Sequence, residues 1–409
     1  MSIFCLVLTF LVCMYFLFFR RKIDILILGL FSFVLYNFPI LIGSVPDYPG
    51  NERVNIESFL YVYYSFFLVS YFFVVYAFDS YKLDESSTVV LHVSERMVWT
   101  LVIFASLAMF YFSSELVFSG LYIKHGLEKS QLLEMLPPIY NWLIYYVVSL
   151  SIFLSCAGYY RLSFLIVALL VFDIVLVGMR VHFILAVIGS LLACFYNARL
   201  SVRQVSISIF SGVAFVFLVV FIKPVLRIVS SSDYPAIALK DYFSGSQLLS
   251  GYLGRMEPFP QVSIFNTVVK NSVNSNTSEW WDGVITLLGF GDSQSVIKFT
   301  SIIAEFYPGV REGALGSSSI GEIYALFGVA GILLFCLLYP AFLAMLSHLC
   351  NKFGDLAKFI IIPLVPIVGF YFYRSDLFFS LLQIRRLLFY SLIFFGIVLI
   401  VRFKRNRFF

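Results

Sequence analysis

Arg311 and Glu312 stand side by side in a Gly-rich polar stretch, and Glu305 and Glu322 flank the Gly316-Ser317-Ser318-Ser319 turn that leads from it into an apolar run. Arg255 and Glu257 lie two residues apart just ahead of Pro258. Carboxylates and guanidinium groups gathered at one mouth can take a proton from a hydroxyl and steady a departing phosphate. Glu322 differs from the other acids because it falls just inside the apolar run, where a carboxylate is costly. Ser317 and Ser318, with the adjoining glycine, form a close-approach wall with backbone N–H groups near a helix start, suited to a sugar or a phosphate.

Further cations sit where a phosphate could use them. Arg180 stands between two apolar runs, two residues after Gly178, and its planar fork can take two phosphate oxygens at once. Arg374, Arg385 and Arg386 surround the last apolar hairpin with Asp376 as the one acid among them, so a bound polyphosphate would balance their charge. Lys223 and Arg227 open a long polar segment and could guide a lipid headgroup. Each charge taken singly also reads as a solvated loop residue or a snorkelling helix end. His182, two residues after Arg180, reads as a packed residue rather than a base. Trp280-Trp281 reads as an interfacial anchor ahead of a sugar-stacking platform.

The elements that must hold these residues are membrane helices. Of 409 residues 61% are hydrophobic and 12% charged, against about half and a quarter in a soluble protein. The net charge of +5 is modest and suits cytoplasmic anchoring of loops rather than nucleic acid. The six Cys lie in or beside apolar runs without paired metal-ligand spacing, so no disulfide framework, metal or cofactor is expected. There is no Asp-x-Asp, Walker A, GxSxG or HExxH pattern.

Eleven apolar runs are long enough to span: about 2–19, 24–43, 57–78, 97–115, 139–158, 162–178, 181–197, 205–223, 320–346, 357–373 and 386–402. The pair 162–178 and 181–197 is short and could instead dip partway as a hairpin. Residues 2–19 end, rather than begin, in basic residues, which marks a retained first span rather than a cleaved leader. Alternate short loops carry twice as many Lys and Arg as the opposite ones, which places the C-terminus in the cytoplasm and the N-terminus outside. The expected fold is an all-α polytopic integral membrane protein of about eleven transmembrane helices. Residues 1–223 hold the first eight spans, 224–319 form one large periplasmic loop, and 320–409 hold the last three spans and a basic tail.

Many spans, one large late outer loop, the Gly178-Met179-Arg180 step and the Gly321-Glu322-Ile323-Tyr324-x-x-Phe327-Gly328-x-x-Gly331 helix resemble the bacterial O-antigen polymerases. The resemblance covers a small part of the chain and is mainly one of architecture, of the GT-C-like kind. It implies an inner-membrane, metal-independent glycosyltransferase. Such an enzyme transfers a growing glycan en bloc from undecaprenyl pyrophosphate to the next lipid-linked repeat unit on the periplasmic face. It also implies membrane lipid as surroundings and the pathway's chain-length regulator and flippase as partners. The implied roles put Arg180, Arg311, Arg385 and Arg386 on the pyrophosphate and Arg255 on a phosphate or sugar, and leave the base among Glu257, Glu305 and Glu312. The related O-antigen ligases carry a His-Asn pair where this chain has Ser317-Ser318, which argues against ligation. A flippase of the same lipid-linked units remains an alternative. So does a lipid-phosphate-sugar glycosyltransferase using Asp47 and Glu52 of the first outer loop.

Overall fold

The computed structural model describes residues 1–46, 53–80, 93–118, 136–177, 179–196, 201, 203–204, 206–207, 210, 236–237, 258–287, 299–307 and 318–406. Helix α1, Ser2–Met14, continues through a π turn to Arg20. Asp24 then caps α2, Ile25–Ile42, by accepting from the Leu26 and Ile27 amides. Gly43, at φ +84°, ends α2 and opens a two-stranded antiparallel hairpin of β1, Ser44–Pro46, and β2, Arg53–Asn55. Helices α3, Ser58–Ser80, α4, Glu95–Phe118, and α5, Pro138–Cys156, follow. Next come α6, Tyr160–Leu169, a π turn at Asp173–Val177, and α7, Val181–Phe195. Within the polar segment lie α8, Pro258–Lys270, α9, Thr277–Leu287, and α10, Phe299–Ala304. The chain then forms α11, Ser319–Phe353, α12, Asp355–Ile361, a π turn at Pro366–Tyr371, a 3-10 turn at Phe372–Arg374, and α13, Leu377–Asn406.

Seven of the described helices are long and apolar enough to cross a membrane. Ile103, Phe104, Leu107 and Phe110 on α4 are exposed, an apolar flank of the kind a lipid-facing helix carries. The chain is a helical multi-pass membrane protein. The described spans match the apolar runs at 2–19, 24–43, 57–78, 97–115, 139–158 and 320–346 closely. Run 162–178 is instead the ten-residue α6 and a π turn, and run 357–373 is α12 followed by turns. Most of run 205–223 and most of 224–257 lie outside the described residues.

Contacts fix which helix ends meet. Ring pairs Trp142–Phe389 and Phe153–Phe394 run α5 and α13 in the same direction. Phe59–Tyr324 and Phe67–Tyr339 do the same for α3 and α11. The starts of α3, α5, α7, α11 and α13 therefore share one end, together with the hairpin and helices α8 to α10, hereafter the loop end. At the opposite end Arg20 pairs with Asp24 and Asp79, and Arg21, Lys22, Arg161, Lys352 and Lys358 cluster there, hereafter the basic end. The Arg20 guanidinium donates to Asp24 at 2.7 and 2.5 Å and to Asp79 at 2.8 Å, so a buried charge is met on both sides.

Between the ends the core is aromatic. Phe33 stacks on Phe67 at 3.9 Å, and Phe335 lies parallel to Phe372 at 5.6 Å. Where α5 and α7 approach, Gly189 leaves room for Ile152, whose side chain a Cβ would strike. Helix α11 is two helices joined at Gly328, whose φ of +62° and ψ of −153° only glycine adopts without strain. The break interrupts the helical ladder just past Ala325, and the Ser275 amide takes the Ala325 carbonyl at 2.8 Å. Gly331 serves packing instead, since a Cβ there would run into Phe327.

Gly328→Ala is expected to destabilise the protein by about 1–3 kcal/mol through backbone strain alone. Gly396→Ala, mid-helix in α13 with nothing within 4 Å of the added Cβ, is expected to be neutral or slightly stabilising. Thermal unfolding of both variants in the same detergent measures the difference.

Candidate functional site

Two buried polar clusters lie toward the loop end. The first is built on Glu322 in the first turn of α11. Ser318 caps that helix, its hydroxyl accepting from the Gly321 amide at 3.2 Å. Glu322 is only 3% exposed, and its two oxygens are both engaged. The Trp280 indole N–H of α9 donates to Oε1 at 3.0 Å, and the Leu377 amide at the start of α13 donates to Oε2 at 2.6 Å. Ser319 extends the tie by donating to the Phe372 and Ser375 carbonyls at 2.6 and 2.5 Å. One carboxylate thus fastens a loop helix and the start of the last span to α11. Trp280 is a structural donor in this arrangement, beyond its sequence reading as an anchor.

The second cluster fills the break between α6 and α7. Asp173, fully buried, accepts from the Tyr140 hydroxyl at 2.9 Å and meets His182 Nδ1 at 2.8 Å. The Tyr145 ring stands edge-on to the His182 ring at 5.0 Å, and the Arg386 guanidinium lies over the Tyr145 ring at 5.2 Å. Arg386 sits nine residues into α13, so it lies about 14 Å below the helix start. A carboxylate, an imidazole, two phenols and a guanidinium therefore form one continuous layer inside the apolar bundle. Carboxylate-held imidazole is an arrangement that can move protons, because the Asp fixes the ring and its tautomer.

Gln383 is fully buried with both amide atoms unpartnered among the described residues, and the buried Arg386 Nε one turn away is in the same state. The Tyr63, Ser149 and Tyr373 hydroxyls and Gln261 Oε1 are unpartnered singly elsewhere in the bundle, Ser149 in the half of α5 nearer the basic end. Buried polar atoms are nearly always paired, so adjacent residues left unpaired mark where another polar group belongs.

The residues singled out from the sequence are dispersed in a way their order does not suggest. Arg180 is half-buried, immediately before α7 and two residues from His182. Arg374 is half-buried, stacked on the Tyr371 ring and bonded to its hydroxyl. Arg385 and Arg386 are not loop residues: α13 starts at Leu377, which carries both into the bundle, Arg385 exposed and Arg386 half-buried. Glu305 is exposed just past α10. Ser318 and Glu322 lie together in the first cluster. Lys223, Arg227, Arg255, Glu257, Arg311, Glu312 and Ser317 lie outside the described residues. His182 was read as a packed residue; it is packed, yet it is also the one imidazole held by a buried carboxylate among the described residues. The available signal was Asp173, an acid inside an apolar run nine residues earlier.

Glu322→Ala leaves two buried N–H donors unmet and is expected to cost about 3 kcal/mol, whereas Trp280→Phe removes one bond and costs about 1 kcal/mol. The double variant is expected to be less destabilised than the sum of the two, which a thermal-unfolding double-mutant cycle measures directly.

No family model, no curated protein and no solved structure matches this chain.

Proposed function

We propose that the protein is a membrane-embedded glycosyltransferase that polymerises lipid-pyrophosphate-linked oligosaccharide repeat units, acting at its loop end. One observation carries the reading. Arg180, Arg374 and Arg386 lie half-buried toward the end where the inside-positive rule would not put them. Cations held in the loop-end half, opposite the basic end, suit an anionic lipid headgroup presented from the far leaflet. The basic end then faces the cytoplasm and the loop end the periplasm, in the bacterial inner membrane. Undecaprenyl pyrophosphate is the carrier that the family resemblance suggests.

In this reading the reaction joins a growing chain to an acceptor sugar hydroxyl. The glycosidic bond to the donor pyrophosphate breaks as the new bond forms. Arg180, Arg374, Arg385 and Arg386 meet the pyrophosphate of donor or acceptor, with Arg311, Lys223 and Arg227 assisting from the polar segment. Arg255, Ser317 and Ser318 contact sugar or phosphate. Glu322, whose oxygens are both occupied, positions the helices around the site. Glu257, Glu305 and Glu312 supply carboxylates at the water side. The pathway's chain-length regulator and flippase are the partners this assigns.

A second reading is favoured by a different observation. Breaks at residues 170–180, at 362–374 and at Gly328 give discontinuous helices, a feature of transporters that bind substrate between half-helices. A flippase for the same lipid-linked units would use them.

Purified protein in liposomes with undecaprenyl-pyrophosphate-linked repeat units is expected to produce a ladder of multi-repeat products, and Arg180→Ala to lose the long chains while still inserting. Monomeric product alone from the wild-type protein would rule out the polymerase. Gene deletion separates the readings in cells: surface lipid capped with single repeats fits a polymerase, and surface lipid with none fits a flippase.

A further inference from the structure

We propose that His182, oriented by Asp173, is the group that takes the proton from the acceptor hydroxyl, and that Arg386 meets the departing pyrophosphate across Tyr145. The proposal rests on the polymerase reading and assigns the base that the sequence left among Glu257, Glu305 and Glu312.

The geometry leads to it in steps. Asp173 Oδ2 holds His182 Nδ1 at 2.8 Å, so the ring cannot rotate away, and the other nitrogen, Nε2, carries the free lone pair when Nδ1–H donates. Asp173 is itself fixed, because the Tyr140 hydroxyl holds its second oxygen at 2.9 Å. His182 lies in the first turn of α7, against Tyr145 of α5. The titratable and charged groups around it are Tyr140 and Tyr145 on α5, Asp173 in the π turn, Arg180 just ahead of α7, and Arg386 on α13 through the Tyr145 ring. One acid and one base are paired, and the cation stands over the Tyr145 ring, apart from both. Such a separation suits an in-line displacement, in which base and leaving-group cation act on opposite sides of the reacting carbon.

Gln383 is the second, independent observation. It is one turn from Arg386 on α13, fully buried, and has no partner for either amide atom among the described residues. The Arg386 Nε is unpartnered as well. An amide offering both donor and acceptor next to an unfilled guanidinium N–H fits a group rich in both, which is a sugar phosphate. The step balances. The acceptor hydroxyl oxygen forms a bond to the anomeric carbon, and its proton passes to His182 Nε2. The bond from that carbon to the pyrophosphate oxygen breaks, and the electron pair leaves on the pyrophosphate, whose charge Arg386 neutralises.

The test is polymerisation in liposomes from undecaprenyl-pyrophosphate-linked repeat units as a function of pH, with melting temperature measured on the same preparations. His182→Gln is expected to lower the rate about 100-fold or more and to remove any dependence of the rate on acid pH that the wild-type protein shows. Asp173→Asn is expected to lower the rate less, by loosening the ring, and Tyr140→Phe less again. Arg386→Ala is expected to lower the rate without changing the shape of the pH profile. A folded His182→Gln protein that keeps its rate, or that loses rate but keeps the wild-type pH profile, overturns the assignment. If His182→Gln does not fold, Asp173→Asn and Tyr140→Phe decide, and folded variants with unchanged rate overturn it. A wild-type protein that makes no polymer defeats the polymerase reading itself, an outcome distinct from any of these.

Discussion

A carboxylate carried into an apolar bundle must be met by donors, because water is not there to meet it. Among the described residues Asp24, Asp173, Glu322 and Asp376 are buried on those terms, and the way the first three are met decides how the helices join. Asp24 takes two amides of its own helix and both terminal nitrogens of Arg20. Asp173 takes a phenol and an imidazole from two different helices. Glu322 takes an indole and a backbone amide from elements 42 and 55 residues away. Each tie is bidentate, so each sets orientation as well as distance. The aromatic packing between them can slide more easily than these contacts can, since stacked rings tolerate a range of offsets.

The three ties divide the molecule by task. The Arg20–Asp24–Asp79 network closes the basic end and uses nearly all of its hydrogen-bonding capacity internally. At the loop end the helices are interrupted instead: α6 gives way to a π turn, α11 kinks at Gly328, and α12 dissolves into π and 3-10 turns before α13. Interrupted helices release backbone groups, and inside a bundle those groups need partners. Ser32 and Tyr339 supply two, donating to the Phe370 and Val368 carbonyls. The breaks are therefore built features of a packed interior.

Most of the spans were legible because length and apolarity are written directly in composition. Ser2–Arg20, Ile25–Ile42 and Ser58–Ser80 begin and end within a few residues of the apolar runs. The breaks were legible only in part: the short runs 162–178 and 181–197 pointed to one and Pro363 and Pro366 to another, but a π turn is as apolar as a helix and differs only in hydrogen-bond register. The start of α13 was misread because Arg385 and Arg386 looked like the edge of a span. An apolar window excludes them, yet one stacks on Tyr145 inside the fold. Glu322 was legible as unusual and its function as a clamp was not, since Trp280 and Leu377 are remote in sequence. The Asp173–His182 pair is nine residues apart with a break between, a spacing that neither helix nor strand periodicity would flag.

Burying an arginine is tolerable when carboxylates and packing absorb its charge, and Arg20 meets that condition with Asp24 and Asp79. Arg386 has an aromatic face and a buried Nε without a partner, one turn from a glutamine in the same state. Arg386 draws some stabilisation from the Tyr145 face, but its Nε and the Gln383 amide draw none from the described residues. In the proposed reading, a ligand with donors, acceptors and negative charge satisfies Gln383 and Arg386 together.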